Sequence, residues 1–141
     1  KTLNKYVAAT SNPAVIMTRP GGVGRNIAHN LGRLGAKVGL VSAIGSDSAG
    51  DEILTSTAAA GVDTGAILKC GTSTGTYLAV LGDDGELVTA VSDMRAIDSL
   101  TPENVDWKAV DAAAYVVVDC NVSLGLMCAT AARAGLPDRS L

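Results

Sequence analysis

Arg19-Pro20-Gly21-Gly22-Val23-Gly24-Arg25-Asn26 decides how this chain is read, because a proline and three glycines run directly into Ile27, Leu31 and Leu34. Those three apolar residues recur at i, i+4 and i+7, the spacing of one face of a helix, and Gly35 is a natural stop. The spacing predicts a helix whose buried face carries Ile27 and Leu31. A glycine-rich turn that opens a helix lets the backbone approach a ligand closely and leaves the first N–H groups without helical partners.

Reading outward, Val38 to Ile44 is an apolar run with Gly and Ser admixed, predicted as a strand buried on both faces. Ser48 with Asp51 resembles a capping box, opening a helix through Ile53, Leu54 and Ala58 that stops at Gly61. Thr76 to Leu81 and Glu86 to Val91 are β-rich runs joined by Gly82-Asp83-Asp84-Gly85, a strong hairpin signal. Thr101-Pro102-Glu103 predicts a helix start with Thr101 as N-cap. Ala114 to Val118 reads as a buried strand ending at Asp119-Cys120-Asn121. A helix is expected from about Ser123 to Ala134, stopped by Gly135 with Pro137 beyond. Upstream, Lys1 to Thr18 carries two β-favouring runs, Tyr6-Val7 and Val15-Ile16-Met17, read as a pair of exposed strands. Strand alternating with helix implies an α/β fold: a parallel sheet with helices on both faces and antiparallel strands added. The chain finishes with Asp138-Arg139-Ser140-Leu141 where the next strand is due, so the pattern reads as part of a longer protein.

Composition bounds the function classes. The 141 residues are 48% hydrophobic and 18% charged, as in one soluble globular domain. No apolar run is long enough to span a bilayer and no leader-like segment opens the chain, so no membrane partner is expected. A net charge of -3 with scattered basic residues gives no reason to expect a nucleic-acid polymer. Aromatic residues are only 3%, with no Phe, too few for a base-stacking platform. Cys70, Cys120 and Cys128 fit neither a disulfide framework nor a zinc spacing and read as buried thiols of a reducing, cytoplasmic compartment. His29, the only histidine, lies beside the predicted buried face and reads as a surface residue.

Three ligand classes use a glycine turn of this kind. A Walker-type phosphate loop needs Gly-Lys-Ser/Thr, which is absent. A dinucleotide fingerprint beginning at Gly22 wants Gly or Ala where Ile27 stands, and no acidic ribose ligand follows about 20 residues on. A polyol site remains, in which backbone groups and an amide bind hydroxyls; Asn26 suits it because an amide both donates and accepts. The alternative is a tight turn with Asn26 capping its helix.

Pro20-Gly21-Gly22-Val23-Gly24-Arg25-Asn26-Ile27-Ala28, with Leu31 and Leu34-Gly35, resembles the first motif of the ribokinase-like (PfkB-type) carbohydrate kinases. Ser42-Ala43-Ile44-Gly45-Ser46-Asp47 with Gly50, and Ala60-Gly61-Val62, keep register with it, so the resemblance covers most of the chain. Within that family Val23-Gly24-Arg25-Asn26 is closer to the pseudouridine kinases than to ribokinases, which carry Lys and Ala at the positions of Val23 and Arg25. Ser11-Asn12-Pro13, Ser92-Asp93-Met94 and Asp119-Cys120-Asn121 point the same way.

The resemblance implies a ribokinase-like core with a small β-sheet lid, incomplete in this chain. Residues 1–18 and 66–92 would supply lid strands, and residues 19–65 and 93–141 the core. Gly21 and Gly22 would be the hinge beside Gly24, and Asn26 the ligand of ribose hydroxyls. Ser11 and Asn12 would stand on the lid side of the pocket, Thr76, Asp93 and Met94 on the sugar and base side, and Asp119 and Asn121 at a strand's C-terminal end. The implied activity is transfer of the ATP γ-phosphoryl group to a 5′-hydroxyl, with pseudouridine as the expected acceptor. Ribose, another nucleoside, or a non-catalytic sugar- or nucleoside-binding domain are the alternatives. The implied cofactors are ATP, Mg2+ and a monovalent cation; the implied partners are a small-molecule sugar or nucleoside and a second copy paired through lid strands. The family's early substrate-binding Asp and its later Gly-Ala-Gly-Asp motif, which carries the general base, match no residue of this sequence. The 141 residues alone are therefore expected to be inactive.

Overall fold

Two parallel strand pairs and one antiparallel hairpin organise the computed structural model, which describes residues 1–135. Pro137 and Asp138-Arg139-Ser140-Leu141 lie outside the described residues. The order is α1 (Val23–Arg33), β1 (Val38–Gly39), β2 (Ser42–Gly45), α2 (Ser48–Ala58), β3 (Val62–Asp63), β4 (Ile67–Cys70), β5 (Thr76–Leu81), β6 (Leu87–Asp93), α3 (Arg95–Asp98), α4 (Trp107–Asp111) and α5 (Leu124–Arg133). β1 pairs with β3 and β2 with β4, both parallel, so β1-β2, α2 and β3-β4 form a βαβ crossover. β5 and β6 pair antiparallel from Thr76 opposite Asp93 to Leu81 opposite Leu87. This is the mixed α/β architecture expected, with helices against parallel strand pairs and a separate antiparallel hairpin.

The core has two parts. Ala28, Leu40 and Val62 pack where α1 meets β1 and β3. Ala43, Leu100, Val105 and Leu126 pack where β2 meets the segment after α3 and α5. The helix-stop glycines Gly35, Gly61 and Gly135, and Gly85 in the hairpin turn, all have positive φ, a region open to glycine at little steric cost.

Several expectations are corrected. Ala28, not Ile27 or Leu31, is the buried residue of α1; Ile27, Leu31 and Leu34 are 37%, 38% and 82% exposed. The helix faces the sheet through its small residues. A Cβ built on Gly32 would lie 2.4 Å from the carbonyl oxygen of Ala60, an approach that only glycine permits. His29, next to Ala28, is half-buried rather than on the surface. The Val38–Ile44 run is two short strands, because β1 and β2 turn to different partners. The N-cap of α2 is Asp47, whose carboxylate accepts from Gly50 N at 2.9 Å, and not Ser48. Thr101 caps no helix; its N–H donates to Asn104 Oδ1 at 2.9 Å, and α4 begins later behind Asp106. Lys1 to Thr18 holds one isolated antiparallel bridge, Thr2 with Ala14, instead of two strands. Ala114 to Val118 is not a strand and is exposed, Tyr115 to 92%. A parallel-sheet strand exists only through a ladder, and no described strand lies alongside this run. Cys120 and Cys128 are exposed and Cys70 half-buried, where buried thiols were expected. β4, expected among the lid strands of residues 66–92, pairs with β2 in a parallel pair.

Candidate functional site

The residues singled out from sequence gather at three places. The first is the N-terminus of α1. Gly22 is its N-cap residue at φ 89 and ψ 127, with no side chain bonding the helix's first turn from that position. That conformation suits glycine and opposes a β-branched residue. No atom lies within 4 Å of a Cβ built on Gly21. Gly24 N donates to Asp119 Oδ2 at 3.0 Å across 95 residues of sequence. Asp119 Oδ1 accepts from the backbone N of Asn121 at 3.0 Å and from its side-chain amide. Both oxygens of Asp119 are thus engaged, and a carboxylate sits where α1 presents the positive end of its dipole.

Asn26 lies inside α1, one turn beyond the cap, and its own N–H donates to Gly22 O at 2.9 Å. It therefore does not cap the helix. Its side chain is exposed; Oδ1 accepts from Arg25 Nη1 at 3.3 Å, and Nδ2 meets no acceptor among the described residues. Arg25 is the residue whose part was missed. Its Nε donates to Thr57 Oγ1 at 3.0 Å and its Nη2 to Ser56 Oγ at 3.1 Å, stapling α1 to α2. Nothing in a one-dimensional pattern pairs residue 25 with residues 56 and 57, though an arginine in a glycine turn was a visible oddity.

The second place is the foot of the hairpin. Thr76 faces Asp93 as the first ladder pair, and Met94 follows as N-cap residue of α3. Thr76 Oγ1 donates to Thr74 O at 3.1 Å. Asp93 accepts from the guanidinium and the backbone N of Arg95, and the side-chain bond to Arg95 chiefly holds its carboxyl down at about 2. Behind this foot Asp47 accepts from Thr74 N and Thr74 Oγ1. The Thr74 hydroxyl is the first cause of Asp47's lowered pKa. Asp47 and Thr74 were not singled out from sequence as site residues; Asp directly before a helix start was the available signal.

The third place is the loop of Ser11 and Asn12. Asn12 Oδ1 accepts from Val7 N at 2.9 Å, and its Nδ2 donates to Val7 O at 2.8 Å and Thr10 O at 3.1 Å, so the amide shapes its own loop. Ser11 is exposed. No described hydrogen bond joins these two residues to the other two places. Among the described residues no three His, Cys, Asp or Glu side chains gather in a way that could hold a metal ion.

With this geometry in view, comparison with known proteins is specific. Residues 4–135 match the family model described as pfkB family carbohydrate kinase. The chain is 42% identical over 121 residues to the pseudouridine kinase of Escherichia coli (strain K12), an alignment covering 82% of this chain and 38% of that protein. It thus spans well under half the length of that curated relative. A carbohydrate kinase from Agrobacterium tumefaciens superposes with a TM-score of 0.82 at 30% identity, covering 94% of this chain and 44% of that one. A fructokinase from Xylella fastidiosa, solved with bound ATP, superposes with a TM-score of 0.62 at 25% identity, covering 76% and 34%.

Proposed function

The chain belongs to the pfkB family of carbohydrate kinases, and we propose that the complete protein carrying it transfers the γ-phosphoryl group of ATP to the 5′-hydroxyl of pseudouridine. The observation that carries this reading is Asn26. Its amide is exposed one turn into α1, is not spent on capping, and offers a donor and an acceptor to a sugar hydroxyl. The 42% identity to a pseudouridine kinase supports the choice of acceptor.

In this reading the described residues bind and orient the acceptor. Asn26 holds ribose hydroxyls beside the Gly21-Gly22-Val23-Gly24 turn, which Asp119 steadies and Asn121 buttresses. Thr76, Asp93 and Met94 approach from the hairpin foot, and Ser11 and Asn12 from the N-terminal loop. Closure of the hairpin would exclude water, so that hydrolysis does not compete with transfer. When bound, ATP with Mg2+ supplies the phosphoryl group and the charge that steadies its transfer; none of the described residues is assigned to the nucleotide, to Mg2+ or to a monovalent cation. Two copies pairing through exposed lid residues such as Tyr77, Leu78 and Val91 are part of the same proposal, as is a cytoplasmic location; no described helix is long and apolar enough to cross a membrane.

A coupled ADP-release assay on the full-length protein tests the substrate. Turnover is expected to be faster on pseudouridine than on uridine or ribose. A sugar acceptor is the second reading, favoured by the likeness to the Agrobacterium carbohydrate kinase, and faster turnover on ribose would establish it over the first. Asn26→Asp tests the site. Losing the amide donor at a desolvated sugar site costs about 1–3 kcal/mol, lowering kcat/KM roughly 5- to 150-fold. Stability should hardly move, since Asn26 is not the cap. Wild-type kinetics in this variant would remove Asn26 from the site.

A further inference from the structure

The β5–β6 hairpin is exposed along most of both strands, from Thr76 to Ala79 and from Leu87 to Ser92. Packing along its length therefore cannot set its direction. One backbone bond, Thr2 N to Leu81 O at 2.9 Å, ties its far end to the N-terminal segment. The remaining control lies at the foot, where the chain enters at Thr76 and leaves at Asp93.

Both flanks of that foot are anchored. On the exit side Ala96, in α3, is completely buried. On the entry side Thr74 is 4% exposed and held from three directions. Its N–H donates to Asp47 Oδ2 at 2.9 Å, its hydroxyl donates to Asp47 Oδ1, and the same hydroxyl accepts from Gly45 N at 3.0 Å. Asp47 Oδ1 also accepts from Gly50 N at 2.9 Å as the cap of α2. The Asp47 carboxylate thus ties the start of α2 to Thr74, two residues before the hairpin, and the Thr74 hydroxyl extends the link to Gly45 at the end of β2. Between anchored Thr74 and the first ladder residue Thr76 stands only Gly75. A Cβ built there would come no closer than 3.5 Å to Asp93 O and 3.8 Å to Met94 Sδ, so the position has room.

We propose that Asp47 is a positioning residue for the hairpin: by holding Thr74 it confines bending of the chain to Gly75 and so sets the direction in which β5 and β6 leave the core. The consequence for acceptor binding rests on the kinase reading, because Thr76, Asp93 and Met94 sit at this foot. Thr74→Val keeps the shape of the side chain but removes the hydroxyl, leaving Gly45 N without its acceptor. Asp47→Asn places an amide donor against a backbone N–H whichever way the amide is turned. Thr74→Ser keeps every bond.

The test uses the full-length protein with every native cysteine, Cys70, Cys120 and Cys128 among them, replaced by serine and spin labels on cysteines introduced at Asp83, at the hairpin tip, and Glu52, on α2. Pulsed electron resonance should give one narrow distance distribution in the parent and in Thr74→Ser, and a broadened or displaced one in Thr74→Val and Asp47→Asn. In unlabelled protein Thr74→Val should raise KM for the acceptor about 5- to 10-fold with KM for ATP unchanged, and Thr74→Ser should restore it. A narrow, unshifted distribution in folded Thr74→Val overturns the proposal. So does broadening that Thr74→Ser shares, since the hydroxyl would then not be the agent. Altered distances in a protein that phosphorylates no acceptor would support the positioning role and reject the kinase reading instead.

Discussion

Replacing Asp119 by alanine separates two roles that the same carboxylate could have, and the structure supplies the size of the effect. Gly22 caps α1 without a side-chain bond and no acidic residue lies in the first turn of the helix. Asp119, bonded to Gly24 N at 3.0 Å, is therefore the carboxylate that serves this terminus. Removing a side-chain cap costs about 0.5–2 kcal/mol, and a carboxylate near the positive end of a helix dipole is worth about 0.3–1 kcal/mol. The two overlap, so Asp119→Ala should destabilise by about 1–2 kcal/mol. The donors of Asn121 that lose their acceptor are exposed and regain water, which adds little. Asp119→Asn keeps an oxygen for Gly24 but gives up the charge, and should cost about half as much. Urea unfolding of the full-length protein reads both, with kcat/KM measured on the same samples. An acceptor ligand would behave oppositely: kcat/KM would fall by one to two orders of magnitude in a protein of unchanged stability. That pattern would refute the assignment of Asp119 as the support of the glycine turn.

Two further outcomes are expected. Gly32→Ala gains about 1 kcal/mol in helix propensity, but its Cβ would stand 2.4 Å from the Ala60 carbonyl oxygen; overpacking against backbone costs about 1–3 kcal/mol, and urea unfolding should show net destabilisation. Asp93 should titrate at about 2 by NMR, and Arg95→Gln should return it towards the ordinary aspartate value of 3.8. Because this folded pKa is depressed, the pair's contribution to stability is present above the unfolded carboxylate pKa and disappears as pH falls through about 2.

The parts of the fold that were legible are those in which neighbours in sequence are also neighbours in space. The β5–β6 hairpin, the extent of α5 and the helix stops at Gly35, Gly61 and Gly135 follow from turn chemistry and local periodicity. The failures share a cause. Ala114 to Val118 has strand composition but no ladder among the described residues, and a strand is a property of two segments. Ile27 and Leu31 were assigned to the core by periodicity and lost it to Ala28, because the close approach of α1 to β3 admits only small side chains.

For the candidate site the sequence alone determined the chemistry on offer: a glycine turn opening a helix, an amide one turn in, and a motif register that places the chain among the pfkB carbohydrate kinases. These are local features, set by backbone freedom and side-chain type within a few residues. Only the tertiary structure decided which of those groups are spent and which are free. Asp119 is committed to Gly24, Arg25 to Ser56 and Thr57, Asn12 to its own loop and Asp47 to Thr74, while Nδ2 of Asn26 meets no acceptor among the described residues. Most of those commitments join residues tens of positions apart. A hydrogen bond depends on distances near 3 Å that the folded chain brings about and that spacing along the sequence does not encode.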